Sequence, residues 1–277
     1  MKSMTADKMK QGMIGVVLGA AMLSSAFAMS VEMQEELPLS AQLEKIQLNR
    51  ENPAVLAQML PIVHCSFTPS KFEEILMTQL RDVNSSTKQF RRLSDQIGEL
   101  LVNKVVECLP TKDVEIETPV AGCQGKELAE PVELCSIMRS GDALLETFMN
   151  HFPEANVSKF LIQRDEQTSL PHFKYMKVSS TIASGNQVII TEPMIATGGT
   201  LDMVLGLLKE KGVKEENIVI ASVCVAPEGL LRLNQKYPKI KVVMNVLDHN
   251  LNEKNYIVPG LGDFGDRYFG TMEKSVK

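Results

Sequence analysis

The fold is decided by one stretch of the chain, VIITEPMIATGGT, at residues 188–200. The stretch begins with a run of apolar, β-branched residues, which is typical of a strand that is buried on both faces of a parallel sheet. A carboxylate, Glu192, ends the run, and two glycines follow at the start of a predicted helix. Strand, short loop and helix in this order form one unit of an α/β protein.

The same alternation extends over the second half of the chain. Short apolar runs predict strands, and apolar residues at 3–4 spacing predict helices. The predicted strands are 132–138, 157–163, 174–181, 187–191, 218–225 and 240–247, and the predicted helices are 142–152, 200–211 and 228–237. The pattern indicates an α/β fold with a parallel sheet flanked by helices on both faces. In such sheets ligands bind outside the carboxyl ends of the strands.

Helices dominate the first half of the chain. Helical spacing covers 39–48, 70–80 and 86–109, and serines stand at the starts of the last two segments, where they cap free N–H groups. In the longest segment, apolar residues at 3–4 spacing from Phe90 to Val105 form one stripe that faces the core.

The amino terminus, residues 1–28, is similar to a secretory signal peptide. Three lysines precede an apolar stretch at 13–23, and Ala26-Phe27-Ala28 forms an A-x-A cleavage site. A membrane anchor and a leaderless cytoplasmic protein are the alternatives. We expect an exported, periplasmic or secreted protein if the leader acts as a signal peptide. The rest divides into an extension, 29–61, and a main domain, 62–277.

Composition excludes several classes of function. The chain has 277 residues and a net charge of −5, which disfavours a nucleic-acid partner, an RNA-binding regulator included. Its five cysteines lack C-x-x-C spacing, and its four histidines are scattered. We therefore predict no metal site built from protein ligands.

Residues 197–200, TGGT, predict an anion site. Glycines let backbone N–H groups approach a phosphate, the threonines add hydroxyl donors, and a helix N-terminus adds positive potential. Glu192 would accept hydrogen bonds from sugar hydroxyls. The alternative is an ordinary helix start that follows a flexible loop.

Two arginines, Arg139 and Arg164, follow predicted strands. One guanidinium group can bind two phosphate oxygens at once. Two arginines at the same sheet edge therefore predict a diphosphate site. The alternative for each is a surface arginine paired with a neighbouring carboxylate, such as Asp142 or Asp165.

The tail, residues 256–271, is too irregular for a helix and too apolar for a disordered end. We interpret it as a structured loop whose backbone groups contact the edge of a small planar base. The alternative is a packed loop with glycine turns.

The chain resembles the uracil phosphoribosyltransferase family, on the eukaryotic side. The matching motifs occur in order at 137–141, 163–168, 192–200, 226–229 and 256–271, and residues 86–91 resemble the family's early helix. The resemblance covers 62–277. It departs at Glu192, where the family usually has Asp, and at Asp142, which places an extra carboxylate beside the diphosphate site.

The resemblance implies a type I phosphoribosyltransferase fold, in which a small hood is formed partly by the tail. It implies transfer of the 5-phosphoribosyl group from phosphoribosyl diphosphate (PRPP) to uracil, giving UMP and diphosphate. The other hypotheses are a catalytically weak uracil- or UMP-binding regulatory relative and a transferase for another base.

The resemblance also assigns roles to residues. The implied catalytic residues are Arg139, Arg164 and Asp263, which also bind PRPP. The implied PRPP site further contains Glu192, Pro193, Met194, Ile195, Ala196, Thr197, Gly198, Gly199 and Thr200. The implied uracil site contains Tyr256, Ile257, Gly262, Asp263 and Phe264. Mg²⁺ would bind mainly through PRPP, GTP activates some members, and a homodimer or homotetramer is expected, with a membrane involved only if the leader stays uncleaved.

Overall fold

A computed structural model describes residues 37–63, 69–164 and 171–272, and of Pro53 and Arg164 only the backbone. The predicted leader and residues 165–170 lie outside the described residues. The chain divides into two compact units, one up to Ile46 and one from Gln47. Within the described residues, no helix is both long enough and apolar enough to cross a bilayer.

In the part of the chain that the structure describes, four helices precede the sheet. They are α1 (Leu39–Asn49), α2 (Pro53–Met59), α3 (Lys71–Arg81) and α4 (Thr87–Val106). The predicted caps of the last two are confirmed, because Ser70 and Ser86 each accept a hydrogen bond from the backbone N–H three residues later. The predicted stripe of α4 is confirmed as well: Phe90 and Val105, at its two ends, are fully buried.

A β-hairpin follows α4, where the sequence predicted no strand. It pairs β1 (Thr111–Glu117) with β2 (Gly122–Leu128) in antiparallel register. Nearly every residue of both strands is exposed to solvent. The alternation of apolar and polar residues by which a half-buried strand is recognised is limited to 113–117 in β1, and β2 lacks it.

The central sheet contains β3 (Val132–Met138), β4 (Asn156–Arg164), β5 (Pro171–Lys177), β6 (Gln187–Thr191), β7 (Met194–Ile195), β8 (Ile218–Val225) and β9 (Lys241–Leu247). Its order is β5-β4-β3-β6-β8-β9, and β7 continues the pairing of β6 with β8 in the same register. All pairs are parallel except β4 with β5, which is antiparallel. The predicted parallel sheet is confirmed, with one antiparallel edge strand.

The predicted strand at 174–181 is wrong in its bounds. The strand runs from Pro171 to Lys177, and a turn replaces its predicted end. The hydroxyl of Ser158 accepts a hydrogen bond from the N–H of Ser179, and the hydroxyl of Ser179 accepts one from the N–H of Thr181. Such local side-chain bonds compete with the hydrogen bonds of a strand.

The helices α5 (Asp142–His151), α6 (Gly199–Glu210) and α7 (Pro227–Lys236) connect the strands. Helix α4 packs on α5, β8 and β9, whereas α6 packs against β4 and β5. Every residue of β6 and β8 is buried. Because successive side chains point to opposite faces of a sheet, both faces are covered, as predicted.

The tail contains β10 (Asn250–Leu251), β11 (Ile257–Val258) and a short helix, α8 (Phe264–Phe269). The prediction that the tail holds no helix is therefore wrong. Asp263 caps α8 by accepting a hydrogen bond of 2.7 Å from the N–H of Asp266, and Gly270, with φ of 75°, ends the helix. The buried rings of Phe264 and Phe90 meet edge to face, with centroids 5.0 Å apart, and fix the tail to α4.

The start of α5 depends on the absence of a side chain at Gly141. A Cβ there would lie 2.7 Å from both the N and the O of Ile137. We expect Gly141→Ala to lower the free energy of unfolding by about 1–3 kcal/mol or more, because backbone atoms must move. Urea unfolding followed by circular dichroism measures the change.

Gly206 provides the matched control. It lies inside α6, and a Cβ there would meet nothing within 4 Å. Gly206→Ala should raise the free energy of unfolding by about 0.5–1 kcal/mol, since alanine costs less backbone entropy in a helix. Equal effects at the two glycines would contradict the assigned crowding at Gly141.

Candidate functional site

Glu192 lies at the carboxyl edge of the sheet, in the break between β6 and β7. It is 7% exposed. Its Oε1 accepts a hydrogen bond of 3.1 Å from the hydroxyl of Ser140, just beyond β3, and one of 3.5 Å from the N–H of Met194. The carboxylate is therefore held in one position between two strand ends.

The glycine loop follows directly. Gly198 adopts the left-handed conformation, with φ of 73°, and caps α6. The N–H of Gly199 lies 3.4 Å from the hydroxyl oxygen of Thr197. The first turn of α6 presents backbone donors and the positive end of the helix dipole, as an anion site requires.

A second close backbone approach supports this loop from α7. A Cβ at Gly229 would lie 3.1 Å from the N of Gly198 and 2.9 Å from Cγ2 of Ile195. No side chain fits there without displacing the loop. The glycine of the motif at 226–229 therefore sets the position of the predicted phosphate site.

The sequence analysis missed Arg232, one helical turn after Gly229. Its Nη1 lies 3.8 Å from the position that a Cβ at Gly199 would occupy. Its Nη2 donates to Asp202 at 2.6 Å. The guanidinium adds positive charge beside the glycine loop. Its position in the sequence, one helical turn after Gly229, is the signal that would have identified Arg232.

Arg139 faces the tail. Its Nη2 donates to Asp266 Oδ1 at 2.6 Å and its Nη1 donates to the hydroxyl of Thr271 at 3.0 Å, and its guanidinium lies 5.6 Å from the ring centroid of Phe269. The structure thus brings Arg139 and the tail together at the end of β3. The side chain of Arg164, at the end of β4, lies outside the described residues, as do residues 165–168 of its motif.

Arg139 is a surface arginine paired with a carboxylate, as the alternative predicts, but that carboxylate is Asp266. Asp142 contacts other groups. Its Oδ1 accepts hydrogen bonds from the hydroxyl of Ser136 at 2.5 Å and from the ammonium of Lys159 at 2.9 Å. The extra carboxylate that the sequence places near the diphosphate site is thus compensated by a cation of the neighbouring strand.

The tail residues that the resemblance assigns to the base differ in their exposure. Ile257 and Phe264 are buried, whereas Tyr256 is 54% exposed. Gly262, with φ of 81°, precedes Asp263. A Cβ at Gly265 would lie 3.3 Å from Oδ1 of Asp263 and 3.7 Å from Nη2 of Arg139, so these two groups are neighbours at the same edge.

The pKa of Asp266, in the tail, is shifted by its neighbours. The hydrogen bond from the hydroxyl of Thr271, followed by the hydrogen bond and charge of Arg139, lowers the pKa of Asp266 below its ordinary value. The carboxylate therefore stays ionised and competes with any bound anion for the guanidinium of Arg139.

Two carboxylates at the edge, Glu192 and Asp263, have oxygen donors of the kind that Mg²⁺ prefers. Among the described residues, no three His, Cys, Asp or Glu side chains converge on one point. The donor set suits a magnesium ion that is bound largely through substrate oxygens and waters.

The fold and the site together define a class: an α/β protein with an anion-binding glycine loop, a fixed carboxylate and a folded tail at the carboxyl edge of a parallel sheet. Residues 68–271 match the family described as uracil phosphoribosyltransferase. Since this match covers more than half of the chain, the protein belongs to the uracil phosphoribosyltransferase family.

Individual relatives support this membership. The chain is 41% identical over 200 residues to the uracil phosphoribosyltransferase of Dictyostelium discoideum, with 72% of this chain and 92% of that protein covered. It is 43% identical over 196 residues to that of Campylobacter concisus, with 71% and 93% covered. A solved protein structure from Aquifex aeolicus is 27% identical, with a TM-score of 0.68, and the match covers 76% of this chain and all of that one.

The ionised state of Asp266 yields a prediction about stability. Because its pKa is lowered in the folded chain, the carboxylate stabilises the fold fully above its ordinary value of 3.8, and the stabilisation is lost as the pH falls through the lowered pKa. Asp266→Asn should therefore unfold more easily than the wild type at pH 6, and the difference should shrink at lower pH.

Urea midpoints of the two proteins between pH 6 and pH 2.5 measure this difference. Glu115→Gln, on the exposed hairpin, is the control and should match the wild type at pH 6. A gap between Asp266→Asn and the wild type that stays constant over the whole range would refute the assignment.

Proposed function

We propose that the protein transfers the 5-phosphoribosyl group from PRPP to uracil, giving UMP and diphosphate, as in pyrimidine salvage. One observation carries the proposal: within the family match at residues 68–271, the motifs at 137–141, 192–200 and 256–271 meet at one sheet edge. There Ser140 contacts Glu192, and Arg139 contacts the tail through Asp266. The comparisons give no support to the hypothesis of a weak regulatory relative.

Each part of the edge has one task in this proposal. The backbone donors from Thr197 to Thr200 bind the 5-phosphate, and Glu192 accepts hydrogen bonds from the ribose hydroxyls. Arg139 and Arg164 bind the diphosphate, and Asp263 lies beside PRPP. Pro193, Met194, Ile195 and Ala196 form the backbone that connects the carboxylate to the glycine loop.

The reaction breaks the bond from the anomeric carbon to diphosphate and the N1–H bond of uracil, forms a bond from N1 to the anomeric carbon, and releases the N1 proton to water. Positive charge develops on the sugar while negative charge leaves with the diphosphate, so fixed guanidinium groups stabilise the departing group. Magnesium, when bound, supplies further positive charge to the diphosphate oxygens. The chain needs no nucleophile, and its main task is to hold N1 about 3 Å from the anomeric carbon.

The tail selects the base. Ile257 and Gly262 to Phe264 frame uracil mainly with backbone groups, with Tyr256 at the rim. These groups suit the two carbonyls and the N3–H of uracil. A cytosine has a donor at position 4 and leaves one pair mismatched, which costs about 1–3 kcal/mol.

The proposal includes several properties of the whole protein. Magnesium acts together with PRPP, GTP acts as an allosteric activator, and the chain assembles as a homodimer or homotetramer. The leader, residues 1–28, directs export. Subcellular fractionation of the tagged full chain tests export, size-exclusion chromatography coupled to light scattering tests assembly, and rates with and without GTP test activation.

The activity itself is tested by incubating the full chain with labelled uracil, PRPP and Mg²⁺ and measuring UMP. We expect UMP to form and to depend on magnesium. Orotate, cytosine and hypoxanthine in parallel reactions test the hypothesis of another base. No UMP over a range of magnesium, GTP and pH values would reject the proposal.

Arg139→Ala tests the diphosphate site. A charged hydrogen-bond partner contributes about 1.5–3 kcal/mol, so we expect kcat/KM for PRPP to fall by roughly ten- to a hundredfold. Initial rates at varied PRPP measure the effect. Lys126→Ala, in an exposed pair with Asp113 on the hairpin, is the control and should keep the wild-type rate.

Asp266→Asn separates two roles of Arg139. If the guanidinium serves PRPP, loss of the competing carboxylate leaves the KM for PRPP unchanged or lowers it. If Arg139 only fixes the tail, Asp266→Asn reproduces the loss seen with Arg139→Ala, and the assigned role is wrong.

A further inference from the structure

A buried ion pair lies directly behind the tail. Arg81, the last residue of α3, donates from Nη2 to Oδ1 of Asp248 at 2.5 Å and from Nη1 to Oδ2 at 2.9 Å. Asp248 follows β9 and is 2% exposed. The two charges compensate each other in a bidentate geometry, which is the arrangement that makes a buried charge tolerable.

The pair binds both backbone groups of Gly260. The N–H of Gly260 donates to Oδ2 of Asp248 at 3.0 Å, and its carbonyl accepts a hydrogen bond of 2.6 Å from Nη1 of Arg81. Gly260 has φ of 60° and lies two residues before Gly262. The ion pair thus fixes the main chain of the tail immediately before the segment assigned to the base.

A thiol completes the shell around the carboxylate. Sγ of Cys224, near the end of β8, lies 2.8 Å from Oδ2 of Asp248. Burial, followed by the charge of Asp248, raises the pKa of the Cys224 thiol, so the group stays protonated and donates. Asp248 therefore accepts hydrogen bonds from a helix, a strand and the tail at once.

The next residue of the tail is held from the other side. Nη1 of Arg267 donates to the carbonyl of Leu261 at 2.8 Å, and its Nη2 donates to the carbonyl of Asp82 at 2.6 Å. The same guanidinium lies 4.4 Å from the ring centroid of Phe90. Gly260 and Leu261 are both anchored, and the segment from Gly262 onward extends from this fixed base.

We propose that Asp248 and Arg81 are positioning residues for the pyrimidine, which they align by fixing Gly260. The inference rests on the proposed function, because the base is the ligand that the tail is assigned. Recognition by backbone groups requires the main chain to hold its place, since a displacement of about 1 Å costs as much as a hundredfold in rate. PRPP is assigned mainly to the glycine loop and the strand ends and shares only Asp263 with the base, so the KM for uracil should respond more strongly than the KM for PRPP.

Asp248→Asn in the full chain tests the proposal. The amide retains the shape of the side chain but loses its charge. One carboxylate oxygen is replaced by an NH2 group, which cannot accept the hydrogen bonds from Arg81 or Gly260. We expect the KM for uracil to rise about tenfold, a loss of about 1.4 kcal/mol in binding, with the KM for PRPP within about twofold of the wild type. Hydrogen exchange of the backbone at 257–264 should become faster.

Glu73→Gln is the matched control. Glu73 is also a buried carboxylate. It accepts a hydrogen bond of 2.5 Å from the ammonium of Lys104 and one of 3.2 Å from the N–H of Ser70. Its hydrogen bonds connect α3 to α4 and to Asn245, and none of them reaches the tail. The control should lower the unfolding temperature and leave the ratio of the two KM values, and the exchange at 257–264, unchanged.

Arg81→Lys serves as a second variant if Asp248→Asn does not fold. The ammonium preserves the buried charge, but it lacks the planar fork that binds Asp248 and Gly260 together. The same selective rise in the KM for uracil is expected, with a smaller size.

The outcomes separate the two proposals. A wild-type chain that forms no UMP rejects the proposed function, and the role for the pyrimidine with it. Turnover by the wild type combined with an equal rise of both KM values in the variants, or with unchanged exchange at 257–264, overturns the positioning role alone.

Discussion

The candidate site depends on close contacts between main-chain segments at the carboxyl edge of the sheet. At Gly141 the start of α5 lies against the main chain of β3, and at Gly229 the start of α7 lies against the glycine loop. Neither contact has room for a Cβ. Because the strands behind them are buried on both faces, the edge cannot relax away from such contacts without opening the core.

Polar contacts then join segments that are far apart in sequence. Ser140 to Glu192 links two strand ends, and Arg139 to Asp266 links β3 to the tail. These contacts differ in kind. The first fixes a carboxylate that is largely shielded from water, while the second is an exposed ion pair of modest strength that a bound anion could replace. The carboxyl edge of the sheet thus combines one fixed contact, Ser140 with Glu192, and one exchangeable contact, Arg139 with Asp266.

The sequence predicted the sheet well, because strands such as Ile218–Val225 are apolar at every position except Ser222 and such runs have few other interpretations. It missed the hairpin β1–β2, which is built from charged residues and has no buried face to leave a pattern. It missed α8 because the helix has only six residues and contains glycine and aromatic residues, which do not indicate a helix. Asp263 caps its start. The partner of Arg139 was beyond reach, since Asp266 becomes a neighbour only once the tail has folded.

The projecting hairpin has a practical consequence. Of the four cysteines among the described residues, Cys108, Cys135 and Cys224 are buried, and Cys123, on β2, is exposed. Burial raises the pKa of Cys135 to about 12, which suppresses its thiolate at neutral pH. A maleimide reagent will therefore modify Cys123 well ahead of the other three. A fluorescent dye attached to Cys123 would report on binding near the hairpin and would leave the residues of the candidate site unmodified.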